Sequence, residues 1–106
     1  MALRRLGLEA FVLAYLLRRG GRGASFEELE RALEAAARKG VLAGVRGRGL
    51  REELESYIAY LRSIRAVEER EGRIVLDMSR VSPPLRRVLE EAAKLVDGVA
   101  AEAVAA

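Results

Sequence analysis

A mostly α-helical domain carrying one β-hairpin is the fold class this sequence predicts, on three observations. Apolar residues recur with helical period in four stretches, helix-start and helix-stop residues separate those stretches, and the β-branched pair Ile74-Val75 follows a Glu71-Gly72 turn candidate. With 106 residues, 51% of them hydrophobic and 33% charged, the chain has the size and composition of one domain around one core.

The first helix is expected from about Leu3 to Arg19, with Leu6, Ala10, Leu13 and Leu17 on one face and Phe11, Val12, Tyr15 and Leu16 filling much of the rest. A helix apolar nearly all round is covered on several sides, by the core or by a partner chain. Gly20, Gly21 and Gly23 end it. Ser25 and Glu28 have the spacing of a capping box, and Phe26, Leu29, Ala32, Leu33, Ala36 and Ala37 then mark a second helix that stops at Gly40.

A glycine-rich linker from Gly40 to Gly49 leads to a third amphipathic helix, Leu50 to Ile64, striped by Leu54, Tyr57, Ile58 and Leu61. Ala66 to Arg70 and Arg73 to Asp77 flank Glu71-Gly72, where Gly72 supplies the positive φ of a tight hairpin turn. Ser82 suits an N-cap and Pro83 the first helical position of a long final helix striped by Leu85, Val88, Leu89, Ala92, Val96 and Val99. Residues 1–80 are thus expected to form the domain proper, and residues 81–106 a C-terminal helix with apolar surface to spare for dimerisation.

Histidine and cysteine are absent, which removes thiolate and histidine-base catalysis and cysteine or histidine metal clusters. The adjacent acids Glu27-Glu28, Glu52-Glu53 and Glu90-Glu91 do not share a helix face, Glu68-Glu69 do not share a strand face, and no glycine loop ends in the Lys-Ser or Lys-Thr of a nucleotide-binding loop. We expect neither enzyme activity nor a cofactor. No apolar run approaches the roughly 18 residues of a membrane span, and the arginines and apolar residues of Met1 to Leu17 precede no small-residue cleavage site, so a cytoplasmic protein is expected. Missing Asn, Gln and Thr, together with an Arg to Lys ratio of 17 to 2, suggest a thermophile with a GC-rich genome.

The net charge of +3 is unevenly spread. Residues 1–24 hold five arginines against Glu9 alone, and residues 40–51 hold three with no acid. Such concentrations attract phosphate backbones. Gly21-Arg22-Gly23 and Gly47-Arg48-Gly49 both precede a Glu-Glu-Leu-Glu run, an echo that biased composition and shared helix-start chemistry explain without a duplication.

Three helices followed by a glycine-turned hairpin, with Tyr57 to Leu76 spanning the junction of third helix and hairpin, resemble winged-helix (winged helix-turn-helix) domains of small archaeal and prokaryotic transcription regulators. The resemblance covers about residues 6 to 78. It implies a three-helix core plus wing, with Leu50 to Ile64 entering the major groove of double-stranded DNA. Arg46, Arg48 and Arg51 would then stand at the groove's entrance, Ser56 on the reading helix, and Arg70 and Arg73 against phosphate or the minor groove. Arginine suits these positions because its planar fork makes bidentate contacts to phosphate or guanine. Arg46-Gly47-Arg48 also resembles the centre of minor-groove AT-hook peptides, with Gly49 where proline usually follows.

Two departures from the pattern open an alternative. Arg65 stands where the family often turns on glycine, and the third helix presents Glu52, Glu53 and Glu55, which repel phosphate. Winged-helix domains also serve as protein-protein interaction modules within larger complexes, and an acidic third helix fits that use. Under either reading the spare apolar surface of the first and last helices predicts a homodimer. Tyr15 and Tyr57 lie on apolar stripes, whereas Tyr60 is expected to be exposed.

Overall fold

The computed structural model describes residues 5–43 and 49–105, with side chains described as far as Val99. Among these residues it is mostly helical, with a two-stranded antiparallel hairpin and a long C-terminal helix. The elements are α1 (Leu8–Arg19), a 3-10 turn (Gly20–Arg22), α2 (Phe26–Arg38), α3 (Leu50–Ser63), β1 (Val67–Arg70), β2 (Arg73–Leu76), a second 3-10 turn (Met78–Arg80) and α4 (Pro83–Ala105).

α1 starts at Leu8 rather than near Leu3. Leu6 is extended instead, because it pairs in parallel with Leu42: its N–H donates to the Val41 carbonyl at 2.7 Å and its carbonyl accepts from the Ala43 N–H at 2.7 Å. That bridge satisfies backbone groups a helix would have used internally, and it ties the entry to α1 to the exit from α2. Gly7 then caps α1 with extended backbone.

α2 begins as its sequence requires. Ser25 accepts a hydrogen bond from the Glu28 N–H at 3.1 Å, satisfying one of the orphan donors of the first turn. Ser82 does the same for α4, accepting from the Leu85 N–H at 3.3 Å ahead of Pro83. The hairpin pairs Val67 with Leu76 and Arg70 with Arg73 across the two-residue turn Glu71-Gly72, both with positive φ. Arg65, at the junction of α3 and hairpin, adopts φ +60°, the left-handed conformation for which glycine is the usual residue.

One core serves the whole described chain. Phe11, Val12 and Leu16 of α1, Leu29 and Leu33 of α2, Leu54 and Ile58 of α3, Ile74 of β2, and Leu89, Val96 and Val99 of α4 are all at or below 2% exposure. Each such side chain contributes about 1.5–3 kcal/mol of transfer free energy. α1 is central, covered by α4, α2 and β2, which accounts for its apolar character on nearly every side. α4 lies across α1 and α2 of its own chain, so much of its stripe is spent inside the monomer. Its first turns are different: Leu85 and Val88 remain 38% and 58% exposed.

The hairpin is fastened to this core by a bond pattern remote in sequence. Ala24 and Ile74 exchange two backbone hydrogen bonds, Ala24 N–H to Ile74 O at 2.9 Å and Ile74 N–H to Ala24 O at 2.7 Å. Gly23 makes that approach possible, since a Cβ there would lie 2.3 Å from the Ile74 carbonyl oxygen.

Candidate functional site

Two surfaces bring together residues of chemical interest. The first is a cleft of about 690 Å³ between the 3-10 turn after α1 and the hairpin, lined by Arg19, Arg22, Arg70 and Arg73 with Glu71. Arg73 is the structural member of this group. Its guanidinium grips both carboxylate oxygens of Glu28, at 3.1 and 3.0 Å, and donates to the carbonyls of Arg22 at 2.7 Å and Gly23 at 3.2 Å. Arg19 joins from α1, donating to the Gly23 carbonyl at 3.0 Å and approaching Glu28 at 3.6 Å. The Glu28 carboxylate therefore holds two arginines instead of closing the capping box on Ser25. Arg70, opposite Arg73 in the hairpin register, points outward and pairs with Glu68.

The second surface follows the outward side of α3. Glu53, Tyr57, Tyr60 and Ile64 recur at helical spacing and form a strip about 16 Å long at 1.5 Å per residue. Around the N-terminal end of this strip, Leu8, Glu9, Glu52, Glu53, Ser56 and Tyr57 line a shallow acidic depression. Around its C-terminal end, Tyr57, Tyr60, Ile64, Val81, Leu85 and Leu89 are among the residues lining an apolar groove of about 360 Å³, with Arg80 at its edge. Tyr57 lines both, so the two adjoin at this side chain and together make up the furrow along α3.

Burial of the Tyr57 ring, reinforced by the nearby Glu9 carboxylate and then by Tyr60, pushes its hydroxyl up to about 12. Tyr57 thus stays neutral throughout the ordinary pH range. Tyr60 stacks on it with ring centroids 6.4 Å apart and is itself 56% exposed. Asp77 caps the second 3-10 turn. Ser79 hydrogen bonds, from hydroxyl and backbone N–H, lower the Asp77 carboxyl below its ordinary range, helped slightly by Arg80.

Comparison with protein-family models, curated proteins and solved structures finds no match.

Among the described residues, those singled out from sequence are not gathered into one patch. Arg46 and Arg48 lie outside the described residues. Arg51, at the start of α3, donates to Glu55 at 3.3 Å and to Glu30 at 3.2 Å, with its guanidinium 5.4 Å from the centre of the Phe26 ring. Ser56 is exposed, but within the acidic depression. Arg70 and Arg73 share the hairpin cleft, where Arg19 and Arg22 join them. Sequence reasoning missed Arg19 as a site residue and Glu28 as its counter-ion; the surplus of arginine over acid in residues 1–24 was the one signal pointing there. It placed Leu85, Val88 and Leu89 on one apolar stripe with surface to spare, and the structure buries Leu89 while leaving Leu85 and Val88 exposed. No described helix is long and apolar enough to cross a membrane.

Proposed function

We propose that this chain is a winged-helix-like, cytoplasmic protein-interaction module that works through the outward face of α3 and the adjoining apolar groove, without reading DNA directly. One observation carries the reading: the half of α3 that would lead into a major groove presents Glu52 and Glu53, neither in an ion pair among the described residues, next to an exposed apolar furrow. Carboxylates repel a phosphate backbone, whereas exposed Tyr60, Ile64 and Leu85 gain by being covered. Arg51 does little to offset them, since its charge is already shared between Glu30 and Glu55.

The reading is tested by retention of genomic DNA fragments on the purified protein across a salt series. Arg51→Ala and Ser56→Ala are expected to leave any retention unchanged. Retention abolished by these two substitutions would make α3 a DNA reader and overturn the proposal.

The hairpin cleft supports a second reading, double-stranded DNA held by its backbone. Its specific support is Arg22, which lines the cleft with no ion-pair partner among the described residues, beside the outward-pointing Arg70. On this reading Arg22→Ala with Arg70→Ala lowers the magnitude of the logarithmic salt slope by about two. A wild-type protein that retains no DNA at low ionic strength removes it.

A further inference from the structure

We infer that the furrow along α3 is the interface between two copies of this chain, paired about a twofold axis near Tyr57 and Tyr60. The inference rests on the reading of this furrow as a docking surface and names its occupant. It departs from the expectation that α4 and α1 supply the dimer contact, because the buried part of the α4 stripe is already packed on α1 and α2.

Two features select a second copy. The first is where apolar surface remains. Of the large apolar side chains exposed among the described residues, Tyr60 and Ile64 at the end of α3 and Leu85 at the start of α4 line this furrow, while Met78 in the 3-10 turn and Val88 on α4 are exposed without lining it. The three that line it stand on helices anchored to the core, so little ordering entropy opposes their association.

The second feature is the charge pattern. The furrow is acidic at one end, where Glu9, Glu52 and Glu53 stand, and carries Arg80 at the other, which lines the groove and whose guanidinium also attracts the Asp77 carboxylate. Glu9, Glu52 and Glu53 are in no ion pair among the described residues. A surface of opposite polarity at its two ends is its own complement under a twofold rotation, which sets the acidic end of each copy on the Arg80 end of the other and brings the apolar middles together. A nucleic-acid backbone would be repelled at one end of the same strip.

The test is the mass of the full chain by light scattering over a concentration series, with circular dichroism to establish that each variant is folded. Wild type is expected to be dimeric at micromolar concentration. Ile64→Glu, at a residue 45% exposed, should raise the dissociation constant by more than about 100-fold, as loss of a central apolar anchor does. Glu53→Arg and Arg80→Glu should each weaken the dimer roughly threefold to thirtyfold by placing like charges opposite each other, and the double variant should recover most of that loss. A dimer indifferent to Ile64→Glu, or charge variants without mutual rescue, would overturn the proposed surface.

A single-chain mass for wild type overturns the pairing, and one further measurement shows whether the docking reading falls with it. The probe is a synthetic 16-residue amphipathic helix with leucine on one face, lysine near one end and glutamate near the other. Binding of this peptide that Ile64→Glu abolishes keeps the furrow as a docking site for a different protein. Absence of both dimer and peptide binding removes both readings.

Discussion

The base of the hairpin and the outward face of α3 both carry arginine and glutamate, yet only the first uses them to hold the fold together. At the hairpin base, Arg73, Arg19 and Glu28 are engaged with one another and with the carbonyls of Arg22 and Gly23. Along α3, Glu52 and Glu53 have no ion pair among the described residues and stand on the same helix as exposed Tyr60 and Ile64. The difference teaches that residue type says little about whether a charge is structural or free to meet a partner. What decides is whether the fold has already placed a counter-charge within reach, and here the counter-charges come from elements far apart in sequence.

The sharpest way to break the comparison is at Gly23. Its φ is +60°, and a Cβ at this position would lie 2.3 Å from the Ile74 carbonyl oxygen and 2.9 Å from a Val75 methyl, which leaves no room for a side chain. Gly23→Ala is expected to destabilise the protein by about 3–5 kcal/mol, combining backbone strain with loss of the Ala24–Ile74 bridge. Gly21→Ala is its control, since nothing lies within 4 Å of a Cβ there and its φ is not positive. Urea denaturation of both variants checks this; equal midpoints would show that the hairpin is not fastened where the backbone bonds place it.

A smaller loss is expected at Arg73. Its fork is matched to the two Glu28 oxygens and two carbonyls, a geometry that a lysine ammonium cannot reproduce. Arg73→Lys should cost about 1–3 kcal/mol although charge is kept. Arg70→Lys, at an exposed pair with Glu68, should cost less than about 0.5 kcal/mol. The contrast separates two arginines that the sequence offers as equivalent. It also means that DNA-binding assays on an Arg73 variant must first establish that the hairpin is intact.

On the α3 side, Tyr57 links the furrow to a pH dependence. Its hydroxyl is raised from 10.0 to about 12 in the folded chain, first by burial and then by Glu9, so the folded state holds this proton more tightly than the unfolded state. The associated stability is fully present below pH 10 and declines as pH rises through about 12. Because the ring is only partly buried, solvent screening holds the effect to on the order of 1 kcal/mol. Thermal melts between about pH 9 and 12 should show a decline that Tyr57→Phe reduces most and Tyr60→Phe, the last of the three causes of the shift, reduces less.

How much of this was legible in the sequence follows from the range of the interactions involved. Ser25, Ser82, Pro83 and the Glu71-Gly72 turn act on residues within one helical turn or one hairpin, so the start of α2, the start of α4 and the hairpin register could be read directly. The extended entry at Leu6 could not, because its partner is Leu42; local apolar spacing alone continued the helix back to Leu3. Arg73 read as a phosphate contact because Glu28 is 45 residues away. Periodicity likewise placed Leu85 and Val88 with Leu89 on one stripe, but it cannot say where along α4 the cover provided by α1 and α2 ends. The acidic character of α3 was plain from Glu52, Glu53 and Glu55, whereas its junction with an apolar groove required the position of Arg80, Val81 and Leu85 across from it.

The smallest expected effect is a gain in stability at the hairpin tip, which lies away from the fastened base and from the α3 furrow. Glu71 and Gly72 have φ of +53° and +76°, so the two-residue turn needs a left-handed conformation at both positions. This is the condition of a type I′ turn, which matches the right-handed twist of the strands and favours Asn-Gly. Glutamate fits the first position poorly, because its Cβ meets the steric cost that short Asn offsets by hydrogen bonding locally. Glu71→Asn is therefore expected to stabilise the chain by about 0.5 kcal/mol, while Gly72→Ala, which adds a Cβ at positive φ, should cost about 1 kcal/mol. Because neither side chain is part of the core, both changes should leave the dimer constant at α3 unaltered. A shift in that constant with Glu71→Asn would place the hairpin tip inside the interface and erase the separation between the two regions.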